Sequence, residues 1–108
     1  MEQIYNKLVR DNIPEIIELN GEKPVVSILD DIRYKEELEK KLYEEYKEVI
    51  ESSGTDRVEE LADMIEVIKV LAKLENKTLD EVIEIANQKS DKRGAFDKKI
   101  FLEKVICK

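Results

Sequence analysis

Four carboxylates recur at three-residue spacing in two neighbouring stretches of this 108-residue chain: Glu45, Glu48, Glu60 and Asp63. A three-residue step places two side chains on one face of a helix, about 4.5 Å apart along its axis. A carboxylate left alone in an apolar setting is strongly destabilising, so several that converge there imply a bound cation. Because the ligands offer only oxygen, the expected cation is a hard one.

The first pair belongs to a helix predicted over residues 34–51. Its apolar stripe spans about 80° of the helical wheel and consists of Tyr34, Leu38, Leu42 and Val49. Glu45 projects into the middle of this stripe, and Glu48 lies at its rim. Glu44 lies further round, towards the solvated face. The stripe therefore directs Glu45 towards the core.

The second pair belongs to a helix predicted over residues 56–74, whose apolar arc covers more than half of the circumference. Glu60 projects from inside this arc, and Asp63 projects from its edge. The polar segment 52–55 is long enough only to reverse the chain, so the two helices should form an antiparallel hairpin. Counting outward from the turn pairs Glu48 with Glu60 and Glu45 with Asp63, and all four carboxylates should meet in one patch.

Composition excludes several classes of function. The chain has no histidine, which removes Ser-His-Asp and Cys-His catalysis and the usual zinc hydrolase sites. Its one cysteine, Cys107, allows no disulfide framework. A net charge of −7 disfavours nucleic-acid binding, and the absence of a long apolar run predicts no membrane partner and a cytoplasmic location.

The N-terminal 30 residues differ from the rest. Two partly β-branched stretches, 4–10 and 25–29, flank a helical turn that starts near Pro14 and ends at Gly21, which suggests a small β-element. Residues 96–105 form a mixed tail that could be helix or edge strand.

A third helix is predicted after the one over residues 56–74. It begins at a capping box formed by Thr78 and Glu81 and ends at Gly94. Lys89 and Arg93 continue its apolar row towards the C-terminal end. The sequence thus predicts a mainly α protein, an antiparallel helical bundle forming one domain over residues 1–108. Because residues 65–74 are apolar all round, a homo-oligomer, a dimer or larger, is also expected.

The acidic motifs resemble those of a known family. Glu44-Glu45-x-x-Glu48 followed by Glu60-x-x-Asp63 looks like the EExxE and ExxD pair of the MazG-like, all-α nucleoside triphosphate pyrophosphohydrolases. Residues 89–96, KSDKRGAF, resemble the basic stretch after the third helix of that family. Residues 6–17, NKLVRDNIPEII, are similar to the opening of small stand-alone members often labelled phosphoribosyl-ATP pyrophosphohydrolase-like. The resemblance covers nearly the whole chain.

The resemblance implies hydrolysis of a nucleoside triphosphate or related nucleotide between the α and β phosphorus atoms, giving a monophosphate and pyrophosphate. It implies Mg²⁺, with Mn²⁺ as a substitute, at the four carboxylates. Glu44 or Glu45 would activate the attacking water, and Lys89 and Arg93 would hold the phosphates.

Structural interpretations of the same residues remain open. Glu44 could be an ordinary solvated glutamate, and Lys89 and Arg93 could stabilise the dipole at a helix C-terminus. Arg10 and Lys7 are interpreted as exposed N-terminal charges. The alternative function is a non-catalytic helical module that binds a protein partner or senses nucleotide or metal.

Overall fold

The computed structural model describes residues 1–107 and is helical, as the periodicity predicts. Helix α1 spans Ile13–Leu19, α2 spans Asp31–Glu51, α3 spans Gly54–Leu74 and α4 spans Leu79–Arg93. The predicted boundaries of the three long helices are confirmed to within a few residues. None of the described helices is long and apolar enough to cross a bilayer.

Helices α2 and α3 form the hairpin that the pattern predicts. Helix α2 starts where the Asp30 side chain accepts a hydrogen bond of 2.8 Å from the backbone N–H of Arg33, an N-cap that satisfies one of the free donors of the first turn. Only Ser52 and Ser53 separate the two helices. Gly54 opens α3 with a φ of 60°, a conformation in which a side chain would be strained.

Arg57 ties the two arms of the hairpin together. Its Nε donates to the carbonyl oxygens of Val49 at 3.1 Å and Ser52 at 2.9 Å, which are acceptors at the end of α2 that have no partner within the helix. This contact sets how α3 leaves the turn, and with it the register between the two acidic pairs.

The buried apolar core lies between α2 and α3 and is small. Its buried side chains are Leu38 from α2 with Val67 and Ala72 from α3. Leu38 belongs to the predicted stripe, and Leu42 and Val49 from the same stripe are half-buried. The stripe is thus confirmed as the face that α2 turns towards α3.

Helix α4 packs against α3 much less extensively than α2 does. The predicted capping box at its start is confirmed: the Thr78 hydroxyl accepts from the Glu81 backbone N–H at 3.1 Å, and the Glu81 carboxylate accepts from the Thr78 N–H at 3.1 Å. The predicted stop is also confirmed, since Gly94 follows the last helical residue with a φ of 84°.

The predicted small β-element is wrong, because residues 1–107 contain no strand. Residues 4–10 and 25–29 form no strand, Asn6 has a φ of 46°, and Ile4, Val25 and Ile28 are largely exposed. Two short strands form a stable ribbon only when a third strand or a packed helix covers one face, and no such cover exists here. The tail, residues 96–105, is neither a helix nor a strand.

The chain is extended for its length. Its radius of gyration is 18.9 Å, whereas a compact domain of this size has about 13 Å. Large apolar side chains lie exposed along α3, α4 and the tail, among them Val58, Ile65, Ile83, Phe96 and Phe101. The hairpin, the N-terminal segment, α4 and the tail do not enclose a common core.

Candidate metal centre

Three of the four predicted carboxylates converge where α2 and α3 pack together. Glu45 from α2 and Glu60 and Asp63 from α3 each offer an oxygen, and these three oxygens lie within 4.8 Å of one another. We call these residues the three-carboxylate cluster. The register of the hairpin brings them together. Glu45 and Asp63 lie at similar distances from the turn on opposite arms, and Glu60 lies about one helical turn from Asp63 on α3.

Glu45 is the most deeply placed member of the cluster. Only 6% of its surface is exposed, and it is the one buried charged residue among residues 1–107. Its Oε2 and the Oε2 of Glu60 are both covered and lack a hydrogen-bond partner. Buried carboxylate oxygens without hydrogen-bond partners need a positive charge nearby. A hard cation bound by several converging oxygens would provide it. The donor set therefore fits a magnesium-like ion.

Mutual repulsion changes the proton affinity of the cluster. The neighbouring Glu48 can accept a hydrogen bond from protonated Glu60, and this contact, with partial burial and nearby negative charges, raises the pKa of Glu60 from 4.5 to about 7. Burial raises the pKa of Glu45, and the adjacent Glu48 carboxyl adds to the rise. Both shifts indicate that burial and negative charge outweigh the neighbouring positive charge of Lys41.

Glu48 lies at the margin of the three-carboxylate cluster. It is exposed and is not one of the three carboxylates that converge most tightly, although its carboxyl lies beside those of Glu45 and Glu60. Since it is at the rim of the α2 stripe, its side chain can reach the cluster from the solvent side.

Two basic residues border the cluster, and sequence reasoning assigned neither of them to it. Lys41 Nζ lies 3.7 Å from Glu45 Oε1 and 3.8 Å from Glu44 Oε2. The four-residue spacing from Lys41 to Glu45 was a readable signal, since such pairs meet on a helix. Arg10 Nη2 lies 2.8 Å from Asp63 Oδ1. No local pattern connects these two residues, which are 53 positions apart.

The remaining predicted residues lie outside the cluster. Glu44 is exposed and contacts Lys41, so it faces solvent next to the buried Glu45. Lys89 and Arg93 are exposed on α4 and form no ion pair with any other described residue. Arg93 lies in the last turn of its helix, where a cation stabilises the helix dipole.

The cluster extends from the buried Glu45 to the half-exposed Asp63 at the surface. A shallow hollow on the outer face of α2 lies nearby and touches this region only through Glu44; it is lined by Glu36, Glu39, Lys40, Tyr43 and Glu44. This hollow does not contain the three carboxylates of the cluster.

Comparison with known proteins found no match among family models, curated proteins or solved structures. The geometry of the site thus carries the functional argument together with the motif resemblance.

Proposed function

We propose that this protein is a metal-dependent nucleotide pyrophosphohydrolase that cleaves a nucleoside triphosphate or related nucleotide between the α and β phosphorus atoms. The observation that carries the proposal is Glu45. It is more than nine-tenths buried, has an oxygen without a partner, and converges with two further carboxylates. Such an arrangement destabilises the fold unless a bound cation or a proton balances its negative charge.

Glu45, Glu60 and Asp63 would hold Mg²⁺, or Mn²⁺ in its place, and Glu48 is near enough to join them. When bound, the ion would neutralise the phosphate charges and stabilise the charge that develops during transfer. Burial of Glu45 argues against a role for this residue as a surface solubiliser.

Glu44 and Glu45 are both candidates for the base that activates water. The arrangement favours Glu44, since it is exposed to solvent while Glu45 belongs to the cluster. Lys41 contacts both carboxylates, so it would help to keep Glu44 beside the cluster. The proposal retains Lys89 and Arg93 as phosphate-binding residues from the motif resemblance.

The test is to incubate the full chain with Mg²⁺ and a panel of nucleotides that includes diphosphates, modified bases and phosphoribosyl-ATP, and to assay pyrophosphate and orthophosphate separately. We expect pyrophosphate, with release abolished by Glu45→Gln and by Asp63→Asn. Glu39→Gln is the matched control, because Glu39 is an exposed glutamate on the same helix that makes no ion pair. Orthophosphate as the product, or full activity of Glu45→Gln, would contradict the proposal.

We also propose that the chain assembles with itself. The exposed apolar residues of α3 include Val58, Leu61 and Ile65, on a helix whose other side already packs against α2. Two copies related by a twofold axis could place their α3 helices against each other and close a four-helix core, which needs no other partner. Such an assembly would also supply walls for the site.

Sedimentation velocity over a range of protein concentrations tests this assembly. We expect a dimer or larger species that Ile65→Gln weakens and Glu59→Gln leaves intact. A monomer at all concentrations, with no aggregation, would favour the alternative function instead. In that case the chain would be a helical module that binds a different protein through its apolar face, or that senses nucleotide or metal without turnover.

A further inference from the structure

The N-terminal segment reaches the three-carboxylate cluster through a single side chain. Arg10 Nη2 donates to Asp63 Oδ1 at 2.8 Å across 53 positions. Apart from the carboxyl–carboxyl contacts of Glu48, every other side-chain hydrogen bond among residues 1–107 joins residues at most eight positions apart. This contact is therefore the one polar link from side chain to side chain between the N-terminal segment and the hairpin in the described part of the chain.

Local structure fixes Arg10 relative to α1. Its carbonyl oxygen accepts a hydrogen bond of 3.0 Å from the N–H of Ile13, the first residue of α1. Pro14 at the start of the helix supplies the backbone angle that a first turn requires. Arg10 thus directly precedes a short helix that does not pack against the other three helices, and its side chain reaches Asp63 on α3.

Stability does not account for the contact. The side chains of Arg10 and Asp63 are 58% and 46% exposed, and ion pairs with that much solvent contribute at most about 1 kcal/mol. Nη2 makes the one side-chain hydrogen bond found for Arg10 in the described residues. The guanidinium therefore keeps N–H groups that can bind a second anion, and its planar fork matches a phosphate.

We propose that Arg10 binds the phosphate chain of the nucleotide, and that its ion pair with Asp63 is the resting contact of the same guanidinium in the free protein. The inference rests on the proposed function and assigns a substrate-binding residue to it. Arg10 is already at the cluster, whereas Lys89 and Arg93 make no contact with it within one chain. A phosphate that approached the cluster on the Asp63 side would meet this guanidinium, whereas Lys41 lies on the Glu45 side.

The proposal predicts how removal of Arg10 changes two affinities, one for divalent ions and one for pyrophosphate. In the free protein Arg10 holds an oxygen of Asp63, so it competes with a divalent cation for that carboxylate. Removing Arg10 should then leave divalent-ion affinity unchanged or increase it, while it weakens pyrophosphate binding. If Arg10 served only to position Asp63, its removal would weaken binding of the metal as well.

The experiment uses the full chain and two probes, Mn²⁺ alone and inorganic pyrophosphate in saturating Mg²⁺, each measured by titration calorimetry. Arg10→Ala should weaken pyrophosphate binding about ten-fold or more, the loss typical of a hydrogen-bonded charge pair. Arg10→Lys should fall between, because it keeps the charge and loses the fork. Lys7→Ala is the matched control: it removes one positive charge from the same segment, and Lys7 lies over the ring of Tyr5, 5.6 Å from its centroid, rather than at the cluster.

Pyrophosphate affinity of Arg10→Ala within two-fold of the unsubstituted protein would overturn the inference, as would an equal loss with Lys7→Ala. A loss of Mn²⁺ affinity in Arg10→Ala would also overturn it in favour of a positioning role. Failure of the proposed function is recorded separately, as no pyrophosphate release from any nucleotide by a protein that still binds Mn²⁺ and pyrophosphate.

Discussion

Replacing Glu45 with leucine should make the metal-free protein more stable and abolish its response to magnesium. Glu45 lies on the apolar stripe of α2 with 6% of its surface exposed and with Oε2 unpartnered. Leucine suits both the helix and the stripe, whose nearest members along the helix are Leu38, Leu42 and Val49. The substitution therefore removes a buried carboxylate oxygen that has no hydrogen-bond partner.

The magnitude follows from the surroundings of the side chain. An unsatisfied buried polar group costs roughly 1–3 kcal/mol, and a buried leucine contributes roughly 1.5–3 kcal/mol. The partly exposed ion pair with Lys41 that is lost is worth about 1 kcal/mol at most. Allowing for imperfect packing of leucine, Glu45→Leu should stabilise the metal-free protein by about 2 kcal/mol, which raises Tm by about 8 °C in a domain of this size.

The assay is urea denaturation at one protein concentration, in chelator and in excess Mg²⁺. The unsubstituted protein should gain about 2.7 kcal/mol when Mg²⁺ is at a hundred times its Kd, whereas Glu45→Leu should gain nothing, so the order of stabilities changes with the metal. Glu39→Gln controls for the general relief of negative charge. The reasoning is refuted if Glu45→Leu destabilises the protein in chelator, or if Mg²⁺ leaves the unsubstituted protein unchanged.

Two further predictions concern the protonation of Glu60 and the capping box at Thr78. With chelator present, the free energy of unfolding should fall as the pH rises from about 4.5 to about 7. In this range Glu60 of the folded protein, with its pKa of about 7, holds a proton that the unfolded chain has already released. Denaturation at pH 5, 6, 7 and 8 measures this fall, and Glu60→Gln should flatten the profile. Thr78→Ala should destabilise the protein by about 1 kcal/mol through loss of the capping box, whereas Thr78→Ser should not, and equal denaturation midpoints for the two variants would contradict the role of the cap.

Local patterns in the sequence were sufficient to predict the helices and the inward direction of Glu45. The stripe around Leu38 and the capping box at Thr78 are short-range signals, and short-range hydrogen bonds and packing realise them. The hairpin could be predicted because only Ser52 and Ser53 join its arms, which leaves the chain one way to reverse.

What could not be predicted depends on contacts distant in sequence. The ion pair of Arg10 with Asp63 has no local signature, and the unpaired state of residues 4–10 and 25–29 depends on whether another element covers them. The β-branched composition of those stretches wrongly predicted a small β-element, because strand formation depends on tertiary pairing.

The stability of the hairpin and the chemistry of the site depend on the same contacts. Helices α2 and α3 share few fully buried apolar side chains, and at the level of Glu45 they oppose carboxylate to carboxylate, so their own charges push the arms apart. A cation held by oxygens from both helices would reverse the sign of that interaction and link the arms where the core is thinnest. Arg10 and Lys41 supply part of this compensation in the free chain, from the edges of the cluster. Neither contacts the buried oxygens of Glu45 and Glu60, which is why we expect the metal, rather than any basic residue, to balance the charge at the centre of the site.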